Sequence, residues 1–353
     1  MRIAHLQRTE NNNTGRKCLV VALVLVSVGV VLFAVLSSTS SKRPAPRPLQ
    51  PGVVPAPEFF ESLASSHSVT PARVPNLQAP TSILSSATAV ADYLATDWPV
   101  AKANPSEFVT FVADPLKGSR DVVLSVEYPK GQYTGGEKGG ANMRLRVFGE
   151  GKTRAMISYQ VGFEDSFDFV KGGKLPGLFG GDPSGGCTGG KGSAVCFSAR
   201  FMWREKGEGE VYGYVPVYDG LCEEGDANET SVACHGKMGQ SFNRGSFSFE
   251  AGQYTTLTEV AILNSNPGTE TEANGYLAVY TGETLAFERS DVVYRTNASV
   301  FFSSVLFQTF FGGSTQDYAS TALTHTYYKD WRFYEGDDES NHEGEQVVAS
   351  IGS

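Results

Sequence analysis

Phe197-Ser198-Ala199-Arg200-Phe201-Met202-Trp203-Arg204-Glu205-Lys206-Gly207-Glu208-Gly209-Glu210-Val211-Tyr212-Gly213-Tyr214-Val215 reads as two strands joined by a tight turn. Alternate residues of a strand face opposite sides. Phe197, Ala199, Phe201 and Trp203 therefore share one apolar face, and Ser198, Arg200, Met202 and Arg204 share the other. Glu205-Lys206-Gly207 fits a three-residue hairpin loop with glycine in the left-handed position. In the return strand Val211, Gly213 and Val215 face inward, and Glu210, Tyr212 and Tyr214 face outward. That register sets Arg204 opposite Glu208, Arg200 opposite Tyr212 and Ser198 opposite Tyr214, within reach of one another. The plain alternative is an amphipathic hairpin whose polar face is merely solvated.

The same texture extends outward. Strands are expected over 122–128, 143–148, 155–161, 245–249, 254–263, 275–280, 300–311 and 328–334, with 197–204 and 210–217 from the hairpin. A short helix is expected over 82–94. About ten short strands, 39 glycines and 11% aromatic residues indicate an all-β chain, a β-sandwich of jelly-roll type. Phe167 to Gly181 reads as a strand running into a glycine-rich loop that carries Lys171 and Lys174. Glycine permits close approach to a ligand and lysine supplies a cation. It is not a phosphate loop, because the Gly-Lys-Ser/Thr ending is absent. By itself it is a turn with solvated lysines.

In the N-terminal part, Cys18 to Leu36 carries no charge and is about long enough to cross a bilayer as a helix. Arg2, Arg8, Arg16 and Lys17 precede it, and Lys42, Arg43 and Arg47 follow. The expected layout is a cytoplasmic segment 1–17 and a transmembrane signal anchor 18–36. A Ser/Pro-rich stalk and mixed linker follow over 37–100, then the β-domain over 101–335 and an acidic disordered tail over 336–353. This describes a single-pass type II membrane protein with a lumenal or extracellular domain; the alternative is secretion after cleavage. Asn228-Glu229-Thr230 and Asn297-Ala298-Ser299 match the glycosylation pattern. Cys187, Cys196, Cys222 and Cys234 suit disulfides, paired 187–196 and 222–234, although four cysteines permit three connectivities. No Cys-x-x-Cys or close histidine pair points to zinc, and no cofactor or metal is expected. A net charge of −9 argues against a nucleic-acid partner.

Lys171-Gly-Gly-Lys-Leu-Pro-Gly-Leu-Phe-Gly-Gly181, Phe197-Ser-Ala-Arg-Phe-Met-Trp-Arg204 and Glu210-Val-Tyr-Gly-Tyr-Val-Pro216 resemble, in that order, polysaccharide lyase family 14. Gln308-Thr-Phe-Phe-Gly-Gly-Ser314 and Tyr328-Lys-Asp-Trp-Arg-Phe-Tyr334 extend the likeness, which covers roughly residues 105 to 335 and is greatest to the fungal branch. The resemblance implies a jelly roll whose concave face binds an acidic polysaccharide such as alginate or glucuronan. It implies functional roles for Lys174, for Ser198 and Arg200, and for Tyr212 and Tyr214, with Lys171 and Gln308 as substrate-binding candidates.

The chemistry asks for these residue types. Removing the C5 proton of a uronate builds charge onto a carboxylate that is already anionic. Arg200, helped by Ser198 or Lys174, would stabilise that charge. A tyrosine would serve as acid, and Lys174 or the other tyrosine as base, without a metal. A retaining hydrolase would need two carboxylates about 5 Å apart on the cleft, and Glu164, Asp165 and Asp168 lack the alternating spacing. A non-catalytic acidic-glycan-binding module is the remaining alternative.

Overall fold

The computed structural model describes residues 54–104, 107–223 and 228–351. The expected anchor 18–36 lies outside them. Among the described residues no helix is long and apolar enough to cross a membrane.

The first half of the chain contains α1 (Pro57–Ser66), β1 (Thr70–Pro71), α2 (Ala87–Asp97), β2 (Val100–Asn104), β3 (Val109–Ala113), β4 (Val122–Tyr128), β5 (Ala141–Leu145), β6 (Arg154–Phe163) and β7 (Gly172–Gly181). Then come β8 (Cys196–Arg204), β9 (Glu208–Tyr214), β10 (Val232–Cys234), β11 (Gln240–Ser248), β12 (Tyr254–Ile262) and β13 (Glu270–Ala273). The chain closes with β14 (Gly275–Thr281), β15 (Thr284–Val292), β16 (Phe302–Phe311), β17 (Thr324–Gly336) and β18 (Glu345–Val348).

Two antiparallel eight-stranded sheets form a β-sandwich of jelly-roll type. One runs β15-β14-β12-β6-β17-β4-β3 with β1 on β17, and the other runs β10-β11-β9-β8-β7-β16-β5-β2. The core between them takes the apolar face of the hairpin, Phe197, Ala199, Phe201 and Trp203, against Tyr159, Tyr328 and Trp331 of the facing sheet. Tyr159 and Trp331 stack at 4.4 Å between ring centroids. The hairpin register is as expected, with Ser198 opposite Tyr214 and Arg200 opposite Tyr212. The turn uses two left-handed residues, Lys206 as well as Gly207.

The structure corrects the sequence reading in three places. Residues 172–181 are not a loop but a central strand, β7, between β8 and β16. Two of its glycines make room for neighbouring aromatics. A Cβ on Gly173 would lie 2.0 Å from the Trp203 ring, and one on Gly180 would lie 2.0 Å from the Phe197 ring. Pro176 lies in the interior of this strand at a bulge, between Lys174 and Gly177, where a missing N–H is tolerated. Gly180→Ala is accordingly expected to lose about 1–3 kcal/mol of stability by overpacking, read as a lower denaturant midpoint. An unchanged midpoint would mean that the Phe197 ring is free to move aside.

The acidic tail is the second correction. Its β18 pairs with β13, and the preceding segment is held by the buried Arg154. That guanidinium donates to the Asp338 carbonyl at 3.0 Å, to the Glu339 carbonyl and to Asn341 Oδ1 at 3.3 Å. Composition counts the acidic side chains, but the contacts that fix this segment are made largely by its backbone.

The third is the mixed linker. Part of it is built into the sandwich: α1 lays Leu63 and Ala64 against Met156 and Val260, and α2 packs Val90 and Leu94 into the main core. The helix expected at 82–94 begins later because Ser86 caps it, accepting from Ala89 N at 3.1 Å. Leu84 is instead extended and exchanges two backbone bonds with Phe111.

Candidate active site

On β8 and β9 the residues that alternate with the core positions face away from the sandwich, and β7 and β16 join them. Reading across the strands by register, Tyr212 (β9), Arg200 (β8), Gly177 (β7), Leu306 (β16) and Arg144 (β5) fall on one line. The β7 bulge adds a residue between Lys174 and Gly177, so that both belong to this face. Lys174, Ser198, Arg200, Tyr212 and Tyr214 thus converge, as the sequence led one to expect.

The site is more enclosed than an open sheet face. Arg200 is 1% exposed, Lys174 8%, Tyr212 7% and Tyr214 6%. Two cystine-tethered loops close over one end of the strands. The expected pairs Cys187–Cys196 and Cys222–Cys234 are both formed. From the first loop Gly190 N donates to the Tyr214 hydroxyl oxygen at 2.9 Å, and the Cys187 carbonyl accepts the Ser198 hydroxyl at 2.7 Å. From the second, which follows Cys234, the Met238 carbonyl accepts the Tyr212 hydroxyl, and the His235 ring stacks on Tyr212. Ser198 therefore secures a loop, and its proton is committed there.

Lys174 Nζ lies 3.4 Å from the centroid of the Tyr212 ring and contacts Met202 Sδ. It makes no ion pair among the described residues. Burial, then the charges of Arg200 and Arg204, hold its ammonium well below the usual lysine range, against the opposing pull of Glu210. Burial brings Arg200 down to about 10, with Tyr214 and Tyr212 opposing, so the guanidinium stays charged at neutral pH. Arg200 Nη1 donates to Gln308 Oε1 at 2.6 Å, and Gln308 Nε2 donates to Asn142 Oδ1 at 2.9 Å. Arg200 Nε is buried without a hydrogen-bond partner among the described residues. Burial and then Tyr214 keep the Tyr212 phenol above its ordinary value.

Glu210 is fully buried on the same face. Burial alone would raise its carboxyl, but Arg204 and Arg244 override that and hold it below the ordinary range. Arg204 Nε and Arg244 Nε reach it at 2.7 Å each, and Ser241 donates a further bond. This carboxylate is spent on structure. Lys171 does not join the cluster; it sits at the rim, half exposed, paired with Asp317. The glycosylation triplets close on themselves, with Asn228 Oδ1 accepting from Thr230 and Asn297 Oδ1 from Ser299. Among the described residues no group of three or more His, Cys, Asp or Glu is arranged to hold a metal ion.

The bulge that presents Lys174 is held from behind by the other sheet. Tyr159 donates to the Pro176 carbonyl at 2.8 Å, and Glu259 Oε2 accepts from Leu178 N at 3.4 Å. Glu259 is fully buried, and burial pushes its carboxyl well above the ordinary range. A folded-state pKa above the unfolded one stabilises the protein below the unfolded value, and this contribution is lost as pH rises through the folded value. Glu259→Gln, which mimics the neutral acid, should therefore flatten the loss of stability on the alkaline side. Denaturant midpoints at acidic and alkaline pH would check it, and parallel curves for both proteins would refute it. Neither Tyr159 nor Glu259 was legible as a supporting residue, since each is simply one more inward position on its strand.

A family model described as polysaccharide lyase 14 matches residues 117–331. A search of curated proteins returned no match. Among solved structures, the marine PL-14 alginate lyase from Aplysia kurodai is 27% identical, with a TM-score of 0.60 over 74% of this chain and 98% of that one. Alginate lyase vAL-1 from Chlorella virus is 20% identical, with a TM-score of 0.54 over 72% of this chain and 99% of that one. Alginate lyase Aly36B is 19% identical, with a TM-score of 0.52 over 76% and 97%. The last two speak for the fold alone.

Proposed function

The chain belongs to polysaccharide lyase family 14 and is a polysaccharide lyase, and from that premise we propose that it cleaves a 4-linked uronic-acid polymer by metal-independent β-elimination. The observation that carries this reading is the grouping of a buried Lys174, its ammonium set against a tyrosine ring and a thioether, with the charged Arg200 and a tyrosine hydroxyl on one face. Arg200, fixed by Gln308, takes the uronate carboxylate and stabilises the charge that spreads into it as the C5 proton leaves. Lys174 accepts that proton, since burial and two neighbouring guanidiniums disfavour its protonated form. Tyr214 donates to the departing 4-oxygen. Its oxygen receives the Gly190 N–H, so its own proton remains available and the phenolate left behind is stabilised.

The Aplysia kurodai relative, an alginate lyase by name, supports this polymer class. Glucuronan differs in sugar stereochemistry but presents the same carboxylate and 4-linkage. Within the family, the cysteine placement supports a position in the fungal branch. The apolar run 18–36, the two glycosylation triplets and the disulfides support a membrane-anchored, lumen-facing glycoprotein.

The test is to mix the full chain with alginate and with glucuronan and follow the ultraviolet absorbance of the unsaturated uronate product. A rise on either polymer establishes β-elimination and names the sugar. Binding without a rise on either polymer would turn the reading toward a non-catalytic glycan-binding module.

A further inference from the structure

The line of register that joins Tyr212 to Arg200 continues over Gly177 and Leu306 to Arg144. Arg144 alternates with the core residues Met143 and Leu145, so it belongs to the cleft face. Its guanidinium carbon lies over the Phe179 ring, 3.8 Å from the centroid. Among the described residues its one hydrogen bond is a long one to Ser304 Oγ, 3.5 Å. Among the described residues it has no carboxylate partner within ion-pair distance. Asp182 is near enough to be felt but is occupied by the backbone N–H of Ser184 at 2.7 Å. Burial and the neighbouring Arg146 lower Arg144 to about 10, so it remains a cation at neutral pH. A half-buried, stacked and unpaired guanidinium is costly to keep unless something anionic arrives.

The strand ends are walled. The cystine loops stand at the Tyr214 end, and Lys171 with Asp317 stands at the other. A bound polymer therefore runs across the strands, along the Arg200–Arg144 line. Gly177 and Leu306 between them carry no charge and are buried beneath the longer side chains on either side. We propose that Arg144 is a second carboxylate anchor, gripping the uronate about three residues along the chain from the one held by Arg200. Three strand spacings separate the two arginines, roughly 14 Å at the backbone, and a pyranose in a 4-linked chain advances by about one such spacing. The cleft thereby selects for polymer length and for charge at a fixed interval, a property distinct from the bond-breaking step.

This assignment rests on Arg200 being the carboxylate anchor of the proposed lyase site. The experiment compares the full chain with its Arg144→Gln and Arg144→Lys variants on long uronate polymer and on a uronate trimer, which is too short to bridge both arginines. Arg144→Gln should raise KM on the polymer by about tenfold and leave kcat, and all trimer kinetics, unchanged. Arg144→Lys should recover part of the loss, and added salt should shrink the difference. An unchanged polymer KM, or an equal loss on trimer and polymer, overturns the assignment. If the wild-type chain cleaves nothing, polymer affinity measured by calorimetry makes the same comparison. A tenfold weaker Arg144→Gln then upholds the second anchor while the lyase reading falls, and equal affinities remove both.

Discussion

Lys174→Ala is expected to lower kcat on a uronate polymer by roughly 10²–10⁴-fold, the range over which a positioned proton acceptor contributes, with little change in stability. Nothing in the fold needs the ammonium. Nζ lies against a thioether and the face of a tyrosine ring, without an ion pair among the described residues. Burial and two guanidiniums disfavour its protonated form. The fraction of neutral amine grows as pH rises through the lowered value, so wild-type kcat should rise at a pH below that at which an ordinary lysine titrates. The variant should lose that limb, and added small primary amines should restore part of the rate. Steady-state rates across pH for both proteins decide the matter. A variant within a few fold of wild type, with the same pH profile, would remove Lys174 from the proton-transfer step.

Tyr214→Phe should cost a comparable factor in kcat and little in KM. The two tyrosines stand side by side on β9 with rings 5.8 Å apart, but their hydroxyls are used in opposite senses. Tyr214 accepts from Gly190 N and keeps its proton to give. The Tyr212 hydroxyl donates a hydrogen bond to the Met238 carbonyl, and its ring serves as the surface on which Lys174 rests. Tyr212→Phe keeps that ring and should lose only about tenfold, through a looser 235–239 segment. If the two variants behave the other way round, the acid is Tyr212 and the loop bond opens during turnover.

The hairpin of β8 and β9 was legible because strict alternation held over both strands and the turn length was short. Register follows from those two facts, and with it the grouping of Ser198, Arg200, Tyr212 and Tyr214. What hid β7 was its composition. Glycine ordinarily weakens a strand, and the rings of Phe197 and Trp203 and the close backbone of Ala199 and Arg200 next door explain why glycine is required there. That information resides on β8, not in the segment itself. Arg144 was hidden for another reason. It is one arginine on an alternating strand, and its meaning appears only when four strands are laid side by side. The loop partners of the tyrosines are a glycine amide and a methionine carbonyl, groups that every residue carries and that no side-chain pattern can reveal.

The cystine loops have a consequence for when the protein becomes competent. Most of the sandwich core comes from other strands, whereas the Tyr214 hydroxyl takes its partner from inside the first cystine loop and the Tyr212 hydroxyl from the turn that follows Cys234. Folding and readiness are therefore separable. Reduction of Cys187–Cys196 and Cys222–Cys234 should lower kcat several-fold while the far-ultraviolet circular dichroism of the strands persists, and simultaneous loss of both signals would show that the loops also hold up the sandwich. A chain that has folded but not yet been oxidised is then expected to work below its full rate.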